Sequence, residues 1–353
     1  MQIQTLGPGP RRGELATIEK FVELSAAIKS HSPITWSTES GDVLAVDWYD
    51  LAHLTSIPWK DVNIVVTETF QQVVDALALF DTERSYILIT ESFADPAVVK
   101  NALPDLKIIK TFTRFIEVFE YGQNMFNPVN QYTWAQDIKR EPEYDFFSLI
   151  GRTSWLRSHM INRLNTFDLS NSLVKYGGKQ LDTSKAPDLD AINYDPSKFY
   201  FSDNTFKSTP WLIPAKLIPS ELYQKFYFEV QHETDPYYGK GWQITEFHVT
   251  EKTIKPLIMG VPCLMLGAAG YNTWLLDSFG IDLSLGQFDM YFDKITNNMQ
   301  RLDLMLSQMP WLIKRKISLN TRDQHAKNLM GFNKLRDFNL QQFRELYTLI
   351  QSL

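Results

Sequence analysis

Short apolar runs rich in Val and Ile recur through the first third of the chain, each followed by text with helical spacing, and this rhythm constrains the fold most. VLAVDW (43–48), VNIVVTE (62–68), YILITES (86–92) and LKIIKTF (106–112) are too short and too β-rich to be helices. GELATIEKFVELSAAIKS (13–30), QQVVDALALF (71–80) and DPAVVKNAL (95–103) space their apolar residues as helices do. The last has Asp95 as N-cap and Pro96 in its first turn. Strand–helix–strand alternation predicts an open, largely parallel α/β sheet with helices on both faces.

Residues 122–143, GQNMFNPVNQYTWAQDIKREPE, interrupt the rhythm with Gly, Pro, Asn and polar side chains, after which it restarts. FFSLIG (146–151), SLVKYG (172–177), FYFEVQ (226–231) and PCLMLG (262–267) read as strands. SWLRSHMINRL (154–164), a segment opening near Thr250, and Asn272–Phe279 read as helices. The last seventy residues read as mostly helical, with 285–309 the longest segment. With 353 residues and roughly 100–200 per domain, two α/β domains are expected. The boundaries are 1–125 and 144–353, joined by a linker at 126–143, with the closing helices able to pack back on the first domain. This is the pattern of paired Rossmann-like domains.

The balance of residues narrows the class. At 44% apolar the chain can bury large cores. No apolar run approaches the ~20 residues of a membrane span, and the first twenty residues lack the apolar stretch of a secretory signal. Cys263 is the one cysteine, which rules out an internal disulfide framework and a cysteine-built zinc site. A cytoplasmic protein is expected. Residues 1–142 carry 12 basic and 19 acidic side chains, the remainder 23 and 22. Lys314, Arg315, Lys316, Arg322 and Lys327 form a local basic stretch with Asp323 the only acid nearby; it reads either as a solvated helix face or as a nucleic-acid footprint.

The chemistry concentrates in FEVQHETDPYYGKGWQITEFHVTEKTIKPLIMGVPCLMLG (228–267). A buried strand delivers His232, Glu233 and Thr234 to its carboxyl end, where open α/β sheets bind ligands. Thr250 then stands as the N-cap of a helix with Glu251 and Lys252 in its first turn. Open amides and the helix dipole favour phosphate there. Lys252 would add a full charge, and Glu251 is better suited to ribose hydroxyls.

This Thr-Glu-Lys opening, the His-Glu-Thr group at the preceding strand end and the following Gly-x-Pro strand resemble the donor-binding motif of α-1,3-fucosyltransferase-like glycosyltransferases. Thr250-Glu251-Lys252-Thr253-Ile254-Lys255-Pro256 is closer still to the T-E-K-T-x-K-P signature of phage-encoded sugar transferases. The resemblance covers about residues 144–280. It implies a GT-B-like fold, two Rossmann-like domains facing across a cleft, with a nucleotide-diphosphate sugar held by the second and no separate cofactor. His232-Glu233-Thr234 stands where the family has Asn-Glu-Ser, and His248 where it has an aromatic, so the sugar is left open. The resemblance also implies an arginine on the diphosphate: Arg157 first, Arg152 second, since a guanidinium fork matches phosphate oxygens. A first-domain carboxylate at a strand end would be the general base. Glu91 ranks first, Asp95 and Glu68 next, with Asp47 in a similar place one unit earlier; each reads equally as a helix cap or a solvated loop carboxylate. The expected reaction is an inverting, metal-independent transfer to a hydroxyl of a glycan or of a hydroxymethylated base in phage DNA, which would put the protein in the host cytoplasm. The rival expectation is a non-catalytic binding protein on a degenerate transferase fold.

Other features carry less. Asp188-Leu189-Asp190 matches a metal-binding D-x-D but adjoins no strand, and His232, Glu233 and His248 have no zinc spacing. Gly7-Pro8-Gly9-Pro10 lacks the Lys-Ser/Thr of a P-loop, and no G-x-G-x-x-G follows a strand. Tyr237, Tyr238 and Trp242 could stack on a ring or fold over the core.

Overall fold

The structure is a computed structural model that describes residues 2–6, 35–37, 40–67, 69–93, 95–111, 142–150, 155–176, 179–180, 220–233, 247–315 and 321–352. The expected helix at 13–30, the Gly-Pro start, most of the linker, the Asp188 loop and the loop aromatics lie outside them. The chain divides into two compact units. The first is Met1–Ile116, Glu246–His248 and Arg336–Leu353; the second is Glu117–Thr245 and Val249–Leu335.

The first unit is built on a six-stranded parallel sheet. Its strands are β1 (Gln2–Thr5), β2 (Thr35–Ser37), β3 (Val43–Asp47), β4 (Val62–Thr67), β5 (Ser85–Thr90) and β6 (Lys107–Lys110), in the order β2-β1-β3-β4-β5-β6. Because side chains alternate along a strand, β3 sends Val43 and Ala45 to one face and Leu44 and Val46 to the other. The first set joins Ile64, Val66, Ile87, Ile89 and Ile109 in one core. The second joins Val65, Leu88, Phe70, Val73 and Val99 in another. Both faces are covered, which is why these strands read as continuous apolar runs. Short helices follow the strands: α1 (Trp48–His53), α2 (Phe70–Asp75) and α3 (Ala97–Lys100). The expected helix at 71–80 starts at a Thr69–Gln72 capping box and gives way to a 3-10 turn at Leu77–Leu79. The one expected at 95–103 is a single turn.

The second unit carries β7 (Tyr144–Ile150), β8 (Leu173–Tyr176), β9 (Lys179–Gln180), β10 (Phe226–His232) and β11 (Cys263–Leu266), in the order β11-β10-β7-β8-β9. All neighbours are parallel except β8 and β9. The chain moves from β7 to β8 on one side, then returns to place β10 on the other. The strand order therefore reverses between β7 and β10, the position where open α/β sheets bind ligands beyond the carboxyl ends. Helices α4 (Trp155–Leu164), α5 (Ser220–Lys225), α6 (Glu251–Met259) and α7 (Tyr271–Phe279) accompany these strands. On α4, Leu156, Met160, Ile161 and Leu164 are buried on one stripe.

The closing region departs from expectation. No single helix spans 285–309: a loop with Leu285 at φ 50° and Gly286 at φ 71° leads into a 3-10 turn at Tyr291–Lys294. The Asn297 side chain then accepts from the Met299 and Gln300 amides, starting α8 (Asn298–Leu306), before α9 (Met309–Arg315). Asn and Asp oxygens compete for backbone amides here and break the segment. The longest helix among the described residues is instead α10, 30 residues from Arg322 to Gln351. Among the described residues no helix is long and apolar enough to cross a membrane.

Candidate functional site

The interior strand β10, beside the central β7, carries an unusual line of polar side chains. Glu229, Gln231 and Glu233 fall at every second residue, so they share a face, and all three are buried. The Gln231 amide nitrogen donates to the Leu149 carbonyl on β7 and to Glu229, both at 3.2 Å, while its oxygen accepts from the His232 amide at 3.0 Å. Gln231 thereby ties the two strands together at the point where the order reverses.

Glu233, the next residue after β10, reaches the start of α6. Its Oε1 accepts from the Thr250 amide at 2.9 Å and the Thr253 hydroxyl at 2.8 Å, and its Oε2 from the Thr250 hydroxyl at 2.6 Å. Behind Thr253 stands the buried Tyr271 hydroxyl at 2.6 Å, and burial pushes that phenol well above its usual range. Thr250 is the N-cap, its hydroxyl also accepting from the Lys252 amide at 3.3 Å. The expected turn of open amides is thus occupied by an internal carboxylate: the Thr250 amide and hydroxyl belong to Glu233, which supplies the negative charge the helix dipole favours.

Around this lock the field is positive. Lys252 Nζ lies 3.9 Å from Glu233 Oε2, with its side chain partly exposed. Arg157, in the first turns of α4 after β7, is buried. Both depress the pKa of His232. Burial is the largest cause, the Arg157 charge next among the lowering ones and Lys252 weaker, and together they bring the imidazole to about 3. His232 is therefore neutral at physiological pH. Its Nδ1 donates to the Glu233 carbonyl, and its Nε2 is buried with no hydrogen-bond partner among the described residues.

The structure thus gathers Arg157, His232, Glu233, Thr250 and Lys252 at the carboxyl edge of the second sheet. Thr234 and Arg152 lie outside the described residues, as does the Glu251 side chain. His248 is buried two positions before Thr250 and groups with the first unit. In that unit Glu91 follows β5, is buried, and has its amide on the Thr67 carbonyl at 3.4 Å. Asp95 is exposed and accepts from the Ala97 amide at 2.9 Å, but the N-cap of α3 is Pro96 rather than the expected Asp95. Asp47 accepts from the Asp50 amide at 3.1 Å at the start of α1. Glu68 lies outside the described residues. Sequence reasoning missed Gln231, Thr253 and Tyr271; only the polar i, i+2, i+4 line on an otherwise apolar strand signals the first. A buried arginine, a lysine and a neutral imidazole at a reversal of strand order suit an anionic ligand that also carries hydroxyl donors. No family model, no curated protein and no solved structure matches this chain.

Proposed function

We propose that the chain is a GT-B-like glycosyltransferase whose second unit binds a nucleotide-diphosphate sugar. The observation that supports it most is that the charges of Arg157 and Lys252 both act on His232, at the end of β10 beside the strand-order reversal between β7 and β10. The diphosphate lies against these two cations. The Thr250 turn contributes position rather than open amides, because Glu233 already holds it. Glu251 is assigned to the ribose, and Arg152 stands second to Arg157 for the diphosphate. In the transfer, an acceptor hydroxyl oxygen bonds to the anomeric carbon as the carbon–oxygen bond to the diphosphate breaks. The electron pair leaves on the diphosphate, where Arg157 and Lys252 meet the charge, and the hydroxyl proton passes to a carboxylate base, a role assigned to Glu91 before Asp95 or Glu68. The acceptor is a glycan hydroxyl or a hydroxymethylated base in phage DNA; a steep fall in turnover with added salt selects DNA.

One observation favours a second reading, a non-catalytic binding protein on a transferase-like fold: the internal Glu233 carboxylate occupies the turn expected to be open. Thermal-shift and calorimetric titration with uridine, guanosine and cytidine diphosphates, followed by turnover of the sugar nucleotide that binds, separates the two. The transferase reading expects at least one diphosphate to raise the melting temperature, and Lys252→Ala or Arg157→Met to lower turnover about a hundredfold with the fold intact. Binding without turnover supports the second reading. Unchanged turnover in both variants, or no binding by any diphosphate, removes the site assignment.

A further inference from the structure

His232 is built differently from the two cations beside it. It lies at the end of β10, fully buried, with Nδ1 committed as donor to the Glu233 carbonyl. That bond fixes the tautomer: the proton is on Nδ1 and the lone pair is on Nε2. Nε2 has no partner among the described residues. The residues around it are themselves locked, Gln231 to Leu149 and Glu233 to Thr250 and Thr253, so the ring has a fixed frame. A buried acceptor without a donor is costly, and such groups in native structures call for an explanation.

We propose that His232 reads a hydroxyl: Nε2 accepts a hydrogen bond from a hydroxyl of a phosphate ester whose phosphoryl oxygens face Arg157 and Lys252. This rests on the reading of the second unit as a phosphate site and adds the chemical class its ligand must have. Inorganic phosphate or diphosphate offers its oxygens to the cations but has no ribose or sugar hydroxyl, whereas a nucleoside diphosphate, or its sugar ester, carries that donor as well. The imidazole is a neutral acceptor throughout, not a third phosphate-binding cation. With burial and both cations opposing its protonation, ligand binding takes up no proton at His232. His232 is a specificity-determining residue in this scheme, and its loss weakens the ester while sparing the bare anion.

The test compares inorganic diphosphate with uridine and guanosine diphosphates by calorimetry on the full chain, for wild type, His232→Phe and His232→Gln. Nitrogen-15 spectra of the histidine rings are recorded from pH 5.5 to 8. The expected result is a tenfold or greater loss of nucleoside diphosphate affinity in His232→Phe, unchanged affinity for inorganic diphosphate, and partial recovery in His232→Gln through its amide oxygen. The spectra should show His232 as the Nδ1–H tautomer across the range, without titration on binding. Equal losses for both probes, no loss for either, or a ring that gains a proton on binding overturns the role of His232 while leaving the phosphate site standing. If neither probe binds the wild type, the phosphate site itself fails and this inference with it. Melting curves of both variants identify misfolding, and the wild-type ring spectra remain decisive should a variant fail to fold.

Discussion

Glu229 sits wholly inside the second sheet, paired in register with Cys263 on β11. Burial pushes its carboxyl from the usual 4.5 up to about 8, against the weaker pull of the Gln231 hydrogen bond and the Lys255 charge. The same burial, with Cys263 close to Glu229 and Glu233, raises the Cys263 thiol far above its ordinary value, so it is inert. The folded chain keeps the Glu229 proton at pH values where the unfolded chain has lost it. This group's contribution is therefore intact below pH 4.5 and is lost as pH rises toward 8. His232 acts in the opposite sense: with its folded value near 3 and the unfolded value at 6.5, it lowers stability as pH falls below 6.5. Between pH 6.5 and 8 Glu229 dominates, since His232 gives only a small opposite change as its unfolded imidazole finishes losing its proton. Across that window Glu229 removes about 2 kcal/mol, at roughly 1.4 kcal/mol per pH unit. Urea unfolding at the two ends should show this fall in wild type and a flatter profile in Glu229→Gln, whose amide cannot ionise. An unchanged profile in the variant would mean that Glu229 is ionised in the folded chain.

Two helices that begin at the carboxyl edge of the second sheet, α6 and α7, share one device. Glu233 caps α6, and Asp293, fully buried, caps α7. Gly270 at the start of α7 is left-handed at φ 85° and has no side-chain oxygen to offer. Asp293 Oδ1 accepts from the Asn272 amide at 3.2 Å and its side chain at 3.0 Å, and Oδ2 from the Thr273 amide and hydroxyl, both at 2.9 Å. Bonds to a buried charge are worth about 1.5–3 kcal/mol each, less for several on one group. Asp293→Asn keeps the shape but turns an NH2 toward two donors. It should cost roughly 3 kcal/mol in urea unfolding, and a loss under 1 kcal/mol would mean the cap is not what holds α7. These pairings were not legible in the chain: Thr250 and Glu233 stand 17 residues apart, Asp293 and Asn272 21, and no periodicity links them. Strands β3 to β6 were legible because both faces are apolar. β1 and β2 were not, since QIQT and TWS are short and largely polar. The 285–309 segment misled because its apolar spacing is helical while Asp282, Asp289 and Asn297 divert the amides.

At the scale of the whole molecule, the ends of the chain belong together. Helix α10 contributes residues up to Leu335 to the second unit and those from Arg336 onward to the first. In the second unit, Asn328 exchanges hydrogen bonds with Asp282, and His325 donates to the Ile258 carbonyl at the end of α6. In the first, Leu346, Tyr347 and Ile350 complete the core that covers Val43, Ile64, Val66, Ile87 and Ile89. Gln342 accepts from the Lys110 amide across 232 positions, and Asn339 from the Thr111 hydroxyl across 228. One face of the first sheet is therefore covered by side chains far along the sequence from the strands. Contacts of such separation are slow to form, because loop closure precedes any gain from packing. A chain ending at Leu335 should keep β3 to β6 in sequence yet leave that face open to water. Leu346→Ala, a milder lesion, should cost about 3 kcal/mol, the middle of the range for a buried leucine. Hydrogen exchange followed by fragment analysis reads the difference: amides of Ile64–Val66 and Ile87–Ile89 should lose most of their protection in the truncated chain and part of it in Leu346→Ala. Full protection of those strands without residues 336–353 would show that the first sheet is stable without its C-terminal cover.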